Sequence, residues 1–187
     1  PKLHFISGFS DHPALLEAFA EKGKEYALED YDHILFSYHG LPKRQIRKGD
    51  LTGTCLKVPD CCRKNRRCYA AQCLMTTEGI ARRLSLTAKR WTQTYQSRLG
   101  KEPWLRPYTG EVLQALAKRG IKKVLVFCPA FVCDCLETLE EISSQYKNEF
   151  LSAGGESLDL VEGLNDSAPW IEALERIVRD ETSRAYV

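Results

Sequence analysis

Short apolar runs recur along the chain between longer amphipathic segments. The runs at 33–38 and 124–128 are apolar without alternation, which is typical of strands buried on both faces. Further strands are predicted at 3–7, 91–95 and 158–161, and helices at 13–29, 69–84, 109–120, 134–150 and from about 168 onward. The alternation of strand and helix predicts an α/β fold, with a doubly wound parallel sheet of five strands.

The helix at 134–150 follows the apolar run at 124–128 and carries both an apolar and an acidic pattern. Asp134 is predicted to cap this helix, with Glu137 as its capping-box partner. At about 100° per residue, Asp134, Glu137 and Glu141 form a row on one face. The opposite face is apolar and consists of Leu136, Leu139, Ile142, Tyr146 and Phe150. The row has two interpretations: a solvated acidic helix face, or part of a ligand site at the carboxyl end of a strand.

A histidine ends the other continuous apolar run. His39 is followed by a turn with Gly40 and Pro42, and a histidine in such a place is often structural. Because the carboxyl ends of parallel strands share one edge, we expect His39 to lie near the acid row. Trp104 and Phe131 are in loops at the same edge, where they either close the core or line a flat apolar slot. Such a slot suits a planar ligand that exchanges protons for a metal ion.

Length and charge exclude several function classes. The chain has 187 residues and a formal charge of +2, which suits one α/β domain and gives no argument for nucleic-acid binding. No apolar run approaches the ~20 residues that a membrane span needs, and no signal peptide precedes the first predicted strand. We therefore expect a cytoplasmic protein, with peripheral membrane association left open. The chain opens at Pro1 without an initiator Met, which suggests upstream sequence.

Five of the eight cysteines lie in one polar, basic interval, residues 51–73. In a chain with a full core and no secretory signal, clustered metal ligands are a better explanation than disulfides. Four thiolates suit zinc or an iron–sulfur cluster equally. The predicted ligands are Cys55, Cys62, Cys68 and Cys73, with Cys61 an almost equal alternative to Cys62, because adjacent cysteines rarely both ligate.

Three runs resemble the ferrochelatase family, whose members insert ferrous iron into a porphyrin to make haem. They are FSYHGLPKRQIRKGD (36–50), YQSRLGKEPWLRPYT (95–109) and CPAFVCDCLETLEEI (128–142). The family fold has two Rossmann-like halves, and residues 1–187 resemble the second, C-terminal half with a cysteine-rich insertion. The resemblance implies that the N-terminal half of the enzyme is missing and that this fragment alone is inactive.

The resemblance also assigns roles to the candidate residues. It makes His39 the active-site histidine and Glu137 its opposing carboxylate. Asp134 and Glu141 extend an acidic path for the iron, while Trp104 and Phe131 line the porphyrin pocket. Cys135 stands where many relatives carry a histidine, which puts a metal-ligand role at that position in question.

The family resemblance favours a [2Fe-2S] cluster over zinc in the cysteine-rich insertion. Because nothing in the sequence places this segment beside His39, we expect its role to be structural or regulatory. Two other functions stay open: a metal- or haem-binding module without turnover, and a cobalt chelatase acting on a related tetrapyrrole.

Overall fold

The computed structural model describes residue 3 and residues 5–184. Its strands are β1 His33–His39, β2 Trp91–Gln96, β3 Lys123–Phe127 and β4 Ser157–Leu160. Its helices are α1 Pro13–Lys24, α2 Lys43–Lys48, α3 Cys61–Lys64, α4 Tyr69–Arg83, α5 Thr109–Lys118, α6 Lys147–Ser152 and α7 Ala168–Arg184, with a short 3₁₀ turn at Leu28–Asp30 and a π-helix at Glu137–Tyr146. None of the described helices combines the length and apolar character needed to cross a bilayer.

All pairings in the sheet are parallel, and the strand order is β2-β1-β3-β4. The predicted α/β class with a doubly wound parallel sheet is therefore confirmed. The predicted strand at 3–7 is wrong: residue 4 lies outside the described part, and residues 3 and 5–7 are in no strand. Leu3 and Phe5 are 82% and 83% exposed, and none of the described strands pairs with this apolar run.

The central strands, β1 and β3, are buried on both faces, as their continuous apolar runs predict. On one face Phe36 stacks on Phe127 at 5.0 Å, within a core shared with α1, α4 and α7. On the other face Leu35 and Val126 pack with residues of α5, α6 and the π-helix. Helices on both faces leave the sheet's carboxyl edge as the open place where loops meet.

The start of α5 buries a threonine side chain. Thr109 does not cap the helix, since Tyr108 occupies the cap position and no side chain bonds there. The fully buried Thr109 hydroxyl instead lies within hydrogen-bond distance of the Thr94 hydroxyl at 2.9 Å and of the Ser37 hydroxyl at 2.8 Å. This places a polar contact inside the domain, two residues before His39 on β1.

Candidate functional site

His39 is the last residue of β1 and is half-buried at the carboxyl edge of the sheet. Its Nδ1 lies 2.6 Å from the Gly40 carbonyl oxygen, which can only accept, so Nδ1 carries the proton. In the neutral ring, Nε2 therefore holds a free lone pair. The ring centroid lies 6.2 Å from that of Trp104 and 6.3 Å from that of Phe131. The structure thus brings these three predicted residues together.

Gly40 allows Trp104 to lie against the end of β1. The Gly40 amide donates to the Gln96 carbonyl at 2.9 Å. A Cβ at this position would lie 2.9 Å from that oxygen and 3.0 Å from Trp104 Cε3. Trp104 is 8% exposed, and its buried Nε1–H has no hydrogen-bond partner among the described residues. The indole therefore presents a rigid apolar wall with one unused donor.

Glu137 opens the π-helix and is half-buried. Its own backbone N–H lowers the pKa of its carboxyl most, followed by a hydrogen bond from the Cys135 thiol. Partial burial opposes these effects, and positive charge on His39 adds to the lowering. Glu137 is therefore a carboxylate at neutral pH within electrostatic reach of His39. The role of Glu137 as the carboxylate opposite His39, which the family resemblance implies, stays a prediction.

Glu141 lies in a different environment, because four donors surround its carboxylate. The Ser97 amide and hydroxyl donate at 2.7 and 2.6 Å, the Gln96 side-chain amide at 3.1 Å, and the Tyr146 hydroxyl at 3.0 Å. Ser97 reaches the carboxylate with both groups from a left-handed backbone conformation, φ 63°. Glu141 thus joins the π-helix to the end of β2.

Asp134 is bonded to the loop after β4. Its carboxylate accepts from the Gly163 amide at 3.1 Å, from the Asn165 side chain at 2.9 Å and from the Thr138 hydroxyl at 3.1 Å. The predicted capping box is wrong, since the residue before the π-helix makes no side-chain cap and Glu137 does not bond back to Asp134. Asp134 instead fastens the start of this helix to the loop after β4.

The predicted helix faces at 134–150 are also wrong in part. Ile142 and Phe150 are buried, but Leu136 and Leu139 are 74% and 56% exposed. In a π-helix the backbone bonds close over five residues instead of four, so an α-helical projection assigns the faces incorrectly. Asp134 and Glu141 consequently meet different partners and do not form one row with Glu137.

Sequence reasoning missed the central role of Gln96, which is 1% exposed. Its side-chain N–H groups donate to the Glu137 carbonyl at 2.7 Å and to Glu141, while its oxygen accepts from the Ser37 hydroxyl at 2.7 Å. The available signal was that polar residues occupy the end of β2, where burial is complete. A buried polar side chain needs hydrogen-bond partners, and two of the partners of Gln96 belong to the π-helix.

The cysteines of the 51–73 interval gather in one region. Burial, followed by a hydrogen bond to the Cys68 thiol, raises the pKa of Cys55 to about 11. Burial also raises the pKa of Cys62 to about 12, with Cys61, Cys68 and Cys55 adding to the effect. Cys73 has a pKa of about 12, again mainly through burial. Within the described part of the chain, however, no three His, Cys, Asp or Glu side chains are arranged so that they could hold a metal ion.

Other contacts organise the cysteine segment and connect it to His39. The Asn65 side chain donates to Cys55 Sγ at 3.3 Å and to Asp50 at 3.2 Å. Tyr69, whose pKa burial and the nearby Cys73 raise, donates its hydroxyl to the His39 carbonyl at 2.8 Å. One side chain therefore links the cysteine segment to the end of β1, a connection the sequence did not indicate.

Comparison with known proteins gives one consistent result. The profile of the family described as Ferrochelatase matches residues 1–182. A ferrochelatase of Azotobacter vinelandii is 47% identical over 184 residues, covering 95% of this chain and 54% of that protein. A ferrochelatase of Ectopseudomonas mendocina is 48% identical over 172 residues, covering 89% of this chain and 51% of that protein. The chain thus spans about half the length of these curated relatives.

Proposed function

Because the chain belongs to the ferrochelatase family, we propose that it forms one half of an enzyme that inserts ferrous iron into a porphyrin. The observation that carries this proposal is the position of His39. Its ring lies about equally far from Trp104 and Phe131, at 6.2 and 6.3 Å, and Glu137 is within electrostatic reach. A flat apolar macrocycle could lie against the two aromatic rings with its pyrrole nitrogens near the imidazole.

Metal insertion requires a porphyrin to lose two pyrrole protons. With Nδ1–H held by the Gly40 carbonyl, His39 Nε2 is available to accept one proton at a time and to pass the first to water before the second leaves. The negative charge of the Glu137 carboxylate stabilises the imidazolium that forms. Glu137 is also suited to meet the incoming dication, since carboxylate oxygen binds hydrated divalent iron loosely enough to release it.

The proposed acidic path for iron through Asp134 and Glu141 receives less support than the role of Glu137. Their carboxylates already accept three and four neighbouring donor groups, respectively. A carboxylate that accepts this many hydrogen bonds is better suited to hold neighbouring parts of the chain in position than to bind and release a metal ion. We therefore assign Glu137 the direct role, and assign Asp134 and Glu141 the support of the helix that carries it.

The test uses the full-length protein with His39→Ala, assayed without oxygen with ferrous iron and porphyrin. We expect insertion to fall by at least about 10²-fold, as for loss of a positioned base, with porphyrin binding and melting temperature nearly unchanged. Near-normal turnover would contradict the assignment. If the unaltered protein binds porphyrin but never metallates it, the binding-module alternative is favoured. Preference for cobalt in metal competition would favour the cobalt chelatase.

We also propose that the cysteine segment holds a [2Fe-2S] cluster through Cys55, Cys62, Cys68 and Cys73. The donor chemistry supports this proposal, because this segment carries five cysteine sulfurs and the Asn65 amide bonds one of them. Cys61 is the almost equal alternative to Cys62 as a ligand, because adjacent cysteines rarely both ligate. When bound, such a cluster would supply a covalent cross-link between the loop and α4.

Iron, acid-labile sulfide and zinc, counted in protein purified without oxygen, test the cluster. We expect stoichiometric iron and sulfide with a red-brown colour, which Cys55→Ser or Cys68→Ser removes. Cys133→Ser is the matched control, since Cys133 is exposed and outside the segment. Stoichiometric zinc without sulfide would contradict the cluster and favour the zinc alternative.

A further inference from the structure

The loop between β2 and α5, residues 97–108, carries positive charge that the proposed chemistry at His39 does not use. It contains three Lys or Arg and one Glu, a net charge of +2. Its single acid, Glu102, is already paired, since Arg44 donates to it at 2.8 Å. The loop begins at the carboxyl end of β2, where Gln96 is the register partner of His39. Uncompensated positive charge therefore lies at the same edge of the sheet as the candidate site.

Two cations of this loop share one aromatic ring. The guanidinium carbon of Arg98 lies 5.0 Å from the ring centroid of Tyr108, and that of Arg106 lies 4.2 Å from it. Both distances are those of a cation–π contact, in which a planar guanidinium packs on a ring and keeps its N–H groups free to donate. Because Tyr108 is buried, its ring is a fixed platform that holds two like charges close together.

The two guanidinium groups differ in how they are neutralised. Arg106 donates to Glu111 on α5 at 2.8 Å. Arg98 is exposed and forms no ion pair with any residue in the described part of the chain. The backbone beside Arg98 is nevertheless held in place, because the amide and hydroxyl of Ser97 donate to Glu141 at 2.7 and 2.6 Å. An unneutralised guanidinium thus extends from a fixed point of the backbone.

This pair of arginines is adjacent to the aromatic wall of the candidate site. The Tyr108 hydroxyl accepts from the Trp104 amide at 3.4 Å. The Trp104 ring centroid is in turn 6.2 Å from that of His39. A macrocycle that lies against Trp104 with its pyrrole nitrogens near His39 would therefore extend its rim toward Tyr108 and the two guanidinium groups.

We propose that Arg98, with Arg106 beside it, binds a carboxylate on the rim of the porphyrin. This inference rests on the proposed function and adds the substrate class, namely a macrocycle with free acidic side chains. The planar fork of N–H donors on arginine matches the two oxygens of a carboxylate. An anion bound here also offsets the repulsion between the two cations on Tyr108. A metal ion does not fit this position, because guanidinium groups donate hydrogen bonds and cannot accept or ligate.

Binding of two forms of one porphyrin to the full-length protein tests the proposal. Deuteroporphyrin has free carboxylates on its rim, whereas its dimethyl ester has none, and both are titrated by fluorescence in the same detergent. We expect Arg98→Gln to bind the free acid about tenfold more weakly, as for loss of a hydrogen bond to a charged group. The same variant should bind the ester as the unaltered protein does. Added salt should weaken binding of the free acid by the unaltered protein, because the contact is ionic and exposed.

Two further variants separate carboxylate binding from a general change of charge. Arg119→Gln makes the same substitution at the other end of α5, where the arginine is also exposed, and should bind both porphyrins normally. Arg98→Lys keeps the charge but not the planar fork, so it should recover part of the affinity for the free acid. Melting temperatures identify any variant that has lost its fold.

Steady-state kinetics give a second measurement of the same contact. A rim carboxylate does not take part in the reaction, so Arg98 holds it equally in the ground state and the transition state. We therefore expect Arg98→Gln to raise KM for the free acid about tenfold and to leave kcat unchanged, since uniform binding affects KM alone.

The inference is overturned if Arg98→Gln and Arg119→Gln bind the free acid equally, or if Arg98→Gln weakens binding of the ester as much as that of the free acid. It is also overturned if inorganic phosphate displaces the free acid at a concentration close to the porphyrin's own Kd, which would make the arginine pair a phosphate site. These outcomes leave the proposed function intact. Failure of the unaltered protein to bind either porphyrin would overturn both proposals.

Discussion

Glu137 and Glu141 lie on the same helix in opposite hydrogen-bonding states. Glu137 accepts from its own amide and the Cys135 thiol, whereas four donors from three other residues surround Glu141. At the scale of the residue, this difference decides what each carboxylate can do. A carboxylate with spare lone pairs can receive a proton or a metal ion, while a saturated one mainly fixes the positions of its donors.

Glu137→Gln removes the charge that lies within electrostatic reach of His39 and retains much of the side chain's shape. We expect metal insertion by the full-length protein to fall by about 10²-fold, because the imidazolium and the dication both lose a partner. Melting temperature should stay within the error of the unaltered protein, as no buried donor loses its acceptor. Glu140→Gln is the matched control, since Glu140 is the exposed acid on the same helix. Equal turnover for the two variants would return Glu137 to a solvated helix face.

At the residue scale, the sequence identifies side chains that follow a recognisable strand or turn, but it does not identify hydrogen-bond partners that lie far away along the chain. His39, Trp104 and Phe131 could be placed because each follows a recognisable strand or turn, and the structure brings both aromatic ring centroids within 6.3 Å of that of His39. Most of the donors to Glu141 and Asp134 could not be placed, because they lie at the end of β2 or in the loop after β4, 29 to 45 residues away. No local pattern encodes such distant contacts.

At the scale of the element, the π-helix is the largest departure from the sequence prediction. The prediction of a helix after β3 is sound, but its α-helical periodicity puts Leu136 and Leu139 in the core, where the structure leaves both exposed. The Tyr146 hydroxyl reaches Glu141 across five residues, a spacing that brings side chains together in π and not in α geometry. Tertiary hydrogen bonds from Gln96 to the helix help to select this form.

Glu141→Gln tests whether those bonds maintain the π-helix. Glutamine would turn an N–H group toward donors that need an acceptor, at a cost of about 1–3 kcal/mol. For a domain of this size the melting temperature should fall by about 2–4 °C for each kcal/mol. Tyr146→Phe removes one donor and should cost about 1 kcal/mol. Calorimetry of both variants beside Glu140→Gln provides the measurement, and unchanged melting would show that the bonds do not hold the helix.

At the scale of the whole molecule, the structure has the fold class that the hydrophobic pattern predicts. A continuous apolar run must be buried on both faces, and in a sheet only a central strand meets that condition. β1 and β3 lie in the middle of the sheet with both faces covered. The extra strand predicted at 3–7 shows the limit of that rule: an apolar run becomes a strand only where a partner strand and a covering layer exist. Both conditions are properties of the assembled fold.

At the scale of the whole molecule, several apolar side chains beside the candidate site are exposed to solvent. Leu136, Leu139 and Leu99 are 74%, 56% and 78% exposed on or beside the elements that carry Glu137 and Ser97. The chain also spans about half the length of its relatives.

We therefore expect the 187-residue chain alone to bind metal through its cysteine segment but to insert iron poorly. Its rate should be at least about 10²-fold lower than that of the full-length protein, because an incomplete pocket holds the macrocycle poorly. Anaerobic assays of the chain alone, and of the chain mixed with the rest of the protein, measure this directly. Restored turnover in the mixture supports the half-enzyme assignment, and full turnover by the chain alone would show that these residues form a complete site.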